Sequence, residues 1–474
     1  LAGASIPDER LGGRIVRWKT AGQQGAGLVR QFDHIERSIP ENAGPLSGKL
    51  RPVEGRARPT EPAFRKPGLI GDARRKFLLL AVVTGGVVAA LAGCAADERT
   101  AERTVERSRS GGEETTSATE SSVENTGQED GKENSGVMER MNLREMVGQM
   151  FVVSVGGTGM DRYVEEMARE RNVGGVILFE YNMESEAQTR KFVSSLQKLS
   201  LETEPAVPLF VAVDQEGGDV AHAPWVAPQP AAAEIGARGD VREARAVAET
   251  MGRQLRRAGV NTDLAPVVDT GFGAAIGSRS FGEDSDLVAR MGAASVEGFE
   301  RAGVVSAAKH FPNHGPAVTN SHEGLPVVPH DMATIRSQDL PPFRAAVEAG
   351  VPMVMMGHLV YPAIDPERPA SLSPAAYRLL REDLGFDGVI VTDDVAMAGA
   401  TGGGTLARAA VRAVKAGADL LIVSSPQPQQ AAAYDAVLAA VEDGEIPRAR
   451  IRASVERVME VKEKYPLYRA EGGL

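Results

Sequence analysis

The densest chemistry in the chain lies in Lys309-His310-Phe311-Pro312-Asn313-His314-Gly315, followed closely by Asn320-Ser321-His322. A primary cation beside an imidazole sets a fixed hydrogen-bond donor next to a group that exchanges protons near neutral pH. Five of the seven histidines fall between positions 310 and 358. An isolated histidine such as His34 reads as an ordinary surface or core residue, whereas this clustering favours a site. The preceding run, Gly303-Val304-Val305-Ser306-Ala307-Ala308, is short, apolar and rich in small residues, as a buried parallel strand is. That strand should end at Lys309-His310, and Pro312 and Gly315 should then force a loop. Charge at the C-terminal end of a strand, followed by a histidine-rich loop, is how α/β barrels present their sites.

The elements that must position these residues alternate along the chain. Eight candidate strands are Gln149–Val153, Gly175–Phe179, Leu209–Val213, Thr262–Val267, Val304–Ala308, Met353–Met356, Val389–Thr392 and Leu420–Val423. Helical patterns separate them. One is Pro374–Leu384, with Ser373 as cap, Pro374 in the first turn and Gly385 after the end. Eight strands in a domain of this length predict a single (β/α)8 TIM-type barrel, an α/β fold, rather than an open dinucleotide sheet. No Gly-x-Gly-x-x-Gly follows a strand. The strand ends carry Asp214-Gln215-Glu216-Gly217-Gly218, Lys309-His310, Gly357-His358 and Asp393-Asp394, so charge recurs at one rim. Asp394 is as readily a helix cap as a functional acid. Asp393 ends the apolar run Val389-Ile390-Val391-Thr392, and burial there makes it a candidate nucleophile or base.

The whole chain has 474 residues, 42% hydrophobic, with a net charge of −11 and only 5% aromatic residues. The negative sign serves solubility and argues against nucleic-acid binding. A lone cysteine excludes an intrachain disulfide and a cysteine-based zinc site. Residues 1–73, rich in Gly, Arg and Pro, are expected to be an over-extended or non-structured region. Residues 74–94 open on Arg74-Arg75-Lys76, continue in an apolar run and end at Leu91-Ala92-Gly93-Cys94. This is the pattern of an export signal, too short for a comfortable membrane span. Its start resembles a twin-arginine signal and its end the bacterial lipobox, which implies lipidation at Cys94 and an extracytoplasmic, membrane-anchored protein. Residues 95–136 are acidic, Ser/Thr-rich and nearly devoid of large apolar side chains, the composition of a disordered tether. The barrel is expected over 137–474.

Several of these motifs together resemble glycoside hydrolase family 3, and more narrowly its single-domain β-N-acetylglucosaminidases. They are Val213-Asp214-Gln215-Glu216-Gly217-Gly218, Gly277-Ser278-Arg279-Ser280-Phe281-Gly282, Lys309-His310-Phe311-Pro312-x-His314-Gly315, Ser321-His322 and Val391-Thr392-Asp393-Asp394. The similarity runs from Leu143 to about Tyr468. It implies Asp393 as nucleophile, His322 as acid/base on a loop, and Asp214, Arg279, Lys309 and His310 as contacts to sugar hydroxyls. It implies retaining hydrolysis of terminal β-linked N-acetylglucosamine or a related β-glycoside, with cell-wall fragments among the candidate substrates and no cofactor or metal. A histidine suits the acid/base role because its unperturbed pKa lies near neutrality.

The chain also departs from the family pattern. Asn320 stands where an Asp is usual, Gly315-Pro316-Ala317 where Gly-Asp-Thr is usual, and Asp219 where an Arg is usual. These departures favour one alternative, a weakly active or non-catalytic sugar-binding lipoprotein. A second alternative is a metal-dependent barrel hydrolase with His310, His314, His322 and Asp393 as ligands. Pro312 and the Lys309 cation both oppose it.

Overall fold

The structure, a computed structural model, describes residues 136–321 and 324–468. Cys94, the proposed signal and tether, and His322 lie outside the described residues.

Eight parallel strands form the centre: β1 (Phe151–Ser154), β2 (Gly175–Ile177), β3 (Phe210–Val213), β4 (Thr262–Asp263), β5 (Val305–Phe311), β6 (Met353–Met356), β7 (Val389–Thr392) and β8 (Leu421–Val423). They pair in the order β8-β1-β2-β3-β4-β5-β6-β7. The ring nearly closes where β7 meets β8, through a parallel bridge between Val391 and Leu420 and a 3.0 Å bond from Thr392 N–H to Leu420 O. This is the (β/α)8 barrel that the alternation of apolar runs and helical patterns predicts.

Strand periodicity sorts side chains into two cores. Val152, Ile177, Ala212, Ala307, Met353, Met355 and Ile422 pack together inside the ring. Their neighbours Val153, Val176, Val211, Val213, Ala308, Val354 and Met356 belong to the larger cluster beneath the helices. Helix α1 (Val241–Arg257) packs on α2 (Ser285–Ala302) in that outer layer. Asp284 caps α2 by accepting from Asp286 and Leu287 N–H, and Gly303 ends it at φ 68°, handing the chain to β5.

Two strands differ from the sequence expectation. β4 stops at Asp263 rather than Val267 because Pro266 offers no N–H to the ladder; Val267 rejoins only through a bridge to Lys309. β5 runs on to Phe311, so Lys309 and His310 lie within the strand, not after it. β6 pairs alongside through Lys309↔Met355 and Phe311↔Met356, with a register shift between them. The segment from Pro374 begins as an α-helix capped by Ser373 and continues as a π-helical turn, Leu379–Asp383, ahead of Gly385 at φ 67°.

The N-terminal end of the barrel is closed by α3 (Arg448–Lys464). Buried Asp419, just before β8, accepts from Ile390 N–H (2.9 Å) and Ser454 Oγ (2.8 Å). It is ion-paired with Arg381, Arg457 (3.3 Å) and Arg450 (3.5 Å). Removing this one carboxylate strands three partly buried guanidinium groups. Asp419→Ala should therefore destabilise the domain by roughly 3–5 kcal/mol, the cost of leaving buried charge unpaired, measured by urea unfolding.

Candidate active site

At the C-terminal rim, a cavity of about 410 Å³ opens over the barrel interior, within the roughly 300–1,000 Å³ range of small-molecule sites. Inner-core residues Ile177, Leu264, Met355 and Ile422 line its apolar part. Asp214, Glu216, Arg279, Lys309, His310 and Asp393 supply its polar part.

Lys309 projects from β5 and is 1% exposed. Its Nζ lies 2.5 Å from Asp214 Oδ1 and 2.6 Å from Glu216 Oε1. Asp214 directly follows β3, and Glu216 sits two residues on in a short hairpin with Val220–Ala221, the spacing that puts two carboxylates on one side of an extended chain. Gly217 and Gly218, at φ 90° and 58°, make that hairpin's turn. Arg279, from the 3-10 turn Gly277–Arg279, grips Glu216 with Nε–Oε2 and Nη2–Oε1 distances of 2.7 Å each. Glu216 thus bridges the two cations. Burial alone would favour the neutral Lys309 amine, but Asp214 and Glu216 overcome it and hold the ammonium above its ordinary range. Burial would likewise raise the Glu216 carboxyl, yet Lys309 and Arg279 bring it down to about 2.

His310 is oriented by Asp269, a fully buried acid beyond β4. The ring Nδ1–H donates to Asp269 Oδ2 at 2.7 Å, and the same carboxylate accepts His314 N–H at 2.6 Å. The other ring nitrogen, Nε2, faces the cavity 3.5 Å from Arg279 Nη2. Burial would raise the Asp269 carboxyl; His310 and His314 keep it below the ordinary carboxylate value. His314 Nε2 hydrogen-bonds Ser321 Oγ at 3.1 Å, and burial followed by the nearby His310 pushes its imidazole pKa down. The Lys309 and Arg279 cations alongside oppose a metal ion here. Among the described residues, no three His, Cys, Asp or Glu side chains converge to hold one.

Asp393, at the end of β7, is half-buried and faces the same cavity. Its Oδ1 accepts Asp394 N–H at 2.8 Å. Burial would raise its pKa, but His358, His310, that N–H and Lys309 hold the carboxyl below its ordinary value, so it is ionised at neutral pH. Asp394 serves the backbone instead. Its carboxylate accepts Ala396 N–H (3.0 Å) and Ser424 N–H (3.1 Å) and bonds Ser424 Oγ, while its carbonyl accepts His358 Nε2–H at 2.8 Å. Asn320 lines the cavity, and Asp219 accepts Ser278 Oγ–H at 3.1 Å on the surface.

The structure therefore brings Asp214, Arg279, Lys309, His310 and Asp393 together. It adds three acids to which sequence reasoning gave no role: Glu216, Asp269 and Asp263. Glu216 was legible from its spacing to Asp214; Asp269 was not, being 41 residues from its partner His310. Asp263 lies beneath the polar cluster, accepting Gln215 N–H at 3.0 Å. Its Oδ2 has no partner among the described residues, and burial pushes its carboxyl well above the ordinary range.

The depressed Glu216 pKa sets a sign. A carboxyl at about 2 in the fold and 4.5 ordinarily contributes stability that is full above pH 4.5 and lost as pH falls toward 2. Glu216→Gln should be less stable than wild type at pH 7, and the gap should narrow over that window. Unfolding free energies measured across it check the prediction.

The glycosyl hydrolase family 3 N-terminal domain model matches residues 142–461. The chain is 34% identical over 331 residues to β-hexosaminidase A of Pseudoalteromonas piscicida, covering 64% of this chain but 55% of that one. It is 36% identical over 288 residues to a β-hexosaminidase of Stenotrophomonas maltophilia (strain K279a), covering 59% and 84% respectively. It superposes on a glycoside hydrolase family 3 β-N-acetylglucosaminidase from Paenibacillus sp. str. FPU-7 with a TM-score of 0.68 and 38% identity, over 70% of this chain and 65% of the other. The chain thus spans about half the length of the first relative and most of the second. Motif order, barrel and rim constellation agree with these matches: the chain belongs to glycosyl hydrolase family 3.

Proposed function

We propose that the chain hydrolyses terminal β-linked N-acetylglucosamine with retention of configuration. The observation that carries this reading is Asp393, an ionised carboxylate at a barrel strand end, in one cavity with a wall of fixed donors and acceptors. The names of the similar β-hexosaminidases and of the β-N-acetylglucosaminidase structure support the choice of sugar.

In this mechanism a glycone hydroxyl meets Asp214, Lys309 and His310 Nε2, while Arg279 completes the wall through Glu216. Hydrogen bonds to charged groups are worth roughly 1.5–3 kcal/mol each, enough to select one epimer. Asp393 attacks the anomeric carbon through Oδ2, since Oδ1 is held by Asp394 N–H. The glycosidic C–O bond breaks, and the departing oxygen takes a proton from His322, a role given by the Ser321-His322 motif. Water then attacks the glycosyl ester, His322 takes its proton, and Asp393 is released. Asp393→Ala should lower kcat/KM on an aryl β-N-acetylglucosaminide by roughly 10⁴–10⁶-fold, the range for removing a nucleophile. A 2-fluoro slow substrate should label the Asp393 peptide in intact protein; a label on another residue would sink the assignment.

We also propose that Cys94 is the lipidated N-terminus of the mature protein, with 95–136 as its tether outside the cytoplasm. The support is the apolar run ending in Leu91-Ala92-Gly93-Cys94 and the position of the sole cysteine. Cell-wall fragments are then the substrates within reach. Cys94→Ala should move the protein from the membrane to the soluble fraction, and mass spectrometry of the wild-type N-terminal peptide should show a diacylglyceryl adduct. A wild-type peptide without that mass would end the proposal.

A further inference from the structure

Asn313, in the middle of the histidine motif, is 1% exposed and uses every hydrogen-bonding position of its amide. Oδ1 accepts Thr270 N–H at 3.0 Å and Gly315 N–H at 2.9 Å. Nδ2 donates to Thr270 Oγ1 at 2.6 Å and to Asp339 Oδ1 at 2.8 Å. Its carbonyl accepts Tyr361 O–H at 2.6 Å. The bonds reach two places that matter. Thr270 directly follows Asp269, the acid that orients the His310 ring. Gly315 packs so tightly on the same residue that a Cβ there would lie 1.8 Å from Thr270 O. Asn313 therefore pins the histidine loop to the segment carrying Asp269.

Asp339 fixes which way this amide points. It is 1% exposed, just ahead of the helix Leu340–Glu348, and its second oxygen accepts from His330 Nδ1–H at 2.9 Å. A carboxylate can only accept, so it selects the NH₂ end of Asn313 and leaves Oδ1 for the two backbone N–H groups. Reversing the amide would put donors against donors at Thr270 and Gly315.

We infer that Asn313 and Asp339 are positioning residues, which hold the His310 imidazole in its sugar-facing orientation by fixing Asp269 and the histidine loop against each other. The effect on turnover rests on the reading of His310 as a sugar contact; the orientation of the ring does not.

The test uses the full chain labelled with ¹⁵N-histidine. The carboxylate-bonded Nδ1–H of His310 is identified by its loss in His310→Gln. In Asn313→Ala this resonance should move upfield or broaden while the thermal transition stays cooperative. KM for an aryl β-N-acetylglucosaminide should rise roughly 10–100-fold, as for a misplaced contact group, with a smaller change in kcat. Should Asn313→Ala fold poorly, a charge swap gives the same answer. Asn313→Asp and Asp339→Asn should each disturb the resonance and KM, the first by facing two carboxylates, the second by facing two amides. Combined, they restore a carboxylate–amide pair with the roles exchanged, and both readouts should recover. An unmoved resonance in a folded single variant overturns the inference. So does a double variant no better than the worse single one. A resonance that moves and recovers as stated, in a protein without turnover even as wild type, upholds the positioning role and instead defeats the proposed hydrolysis.

Discussion

The site depends on one buried cation. Lys309 is carried on an inner strand with almost no exposure, and an ammonium there is costly unless fully compensated. Asp214 and Glu216 provide that compensation only because β3 and β5 are held in fixed relation through β4. Arg279 arrives from a separate turn and finds its partner in the same Glu216. The polar wall is thus a chain of charges, each satisfied by the next, and the barrel ladder sets its spacing. Apolar residues of the inner core exclude water below it, which strengthens each of these bonds.

The acids of the site differ in pKa because their surroundings differ. Asp393 is surrounded by histidines, a backbone N–H and a lysine, and stays ionised. Asp263, on β4 three strands away around the ring, is fully buried; that burial, with Asp214 and Glu216 nearby, pushes its carboxyl well above the ordinary range despite the Gln215 N–H and Lys309. Such divergent surroundings are how a single fold holds chemically identical groups at different pKa values.

The fold was legible because burial on both faces writes parallel strands as short apolar runs, as in Val389-Ile390-Val391-Thr392 and Met353-Val354-Met355-Met356. Where the run was interrupted, the reading slipped. Pro266 cut β4 short, and the charged Lys309-His310 hid the continuation of β5. The site was legible where its residues sit at strand ends in sequence-local motifs. Asp269 escaped because its function is to hold a histidine brought to it by folding, and nothing in Val267-Val268-Asp269-Thr270 marks that partner. Asp394 looked equally fit for chemistry or capping; its bonds to Ala396 and Ser424 assign it to the backbone.

The closing helix also constrains how the barrel comes into being. The Lys462 ammonium donates to Gln149, Gly174 and Pro208, each at 2.8 Å and each more than 250 residues earlier in the chain. Asn261 Nδ2 likewise donates to Leu467 O, 206 residues away. Until the last helix has emerged, the carbonyls at the start of β2 and β3 lack these partners and the ring lacks its plug. Contacts of such sequence separation make folding slow. The ring itself closes only through β8, which pairs with β1 and meets β7, so the edges of both strands lack a partner until β8 is made, and unpaired strand edges are where a partly folded chain is open to aggregation.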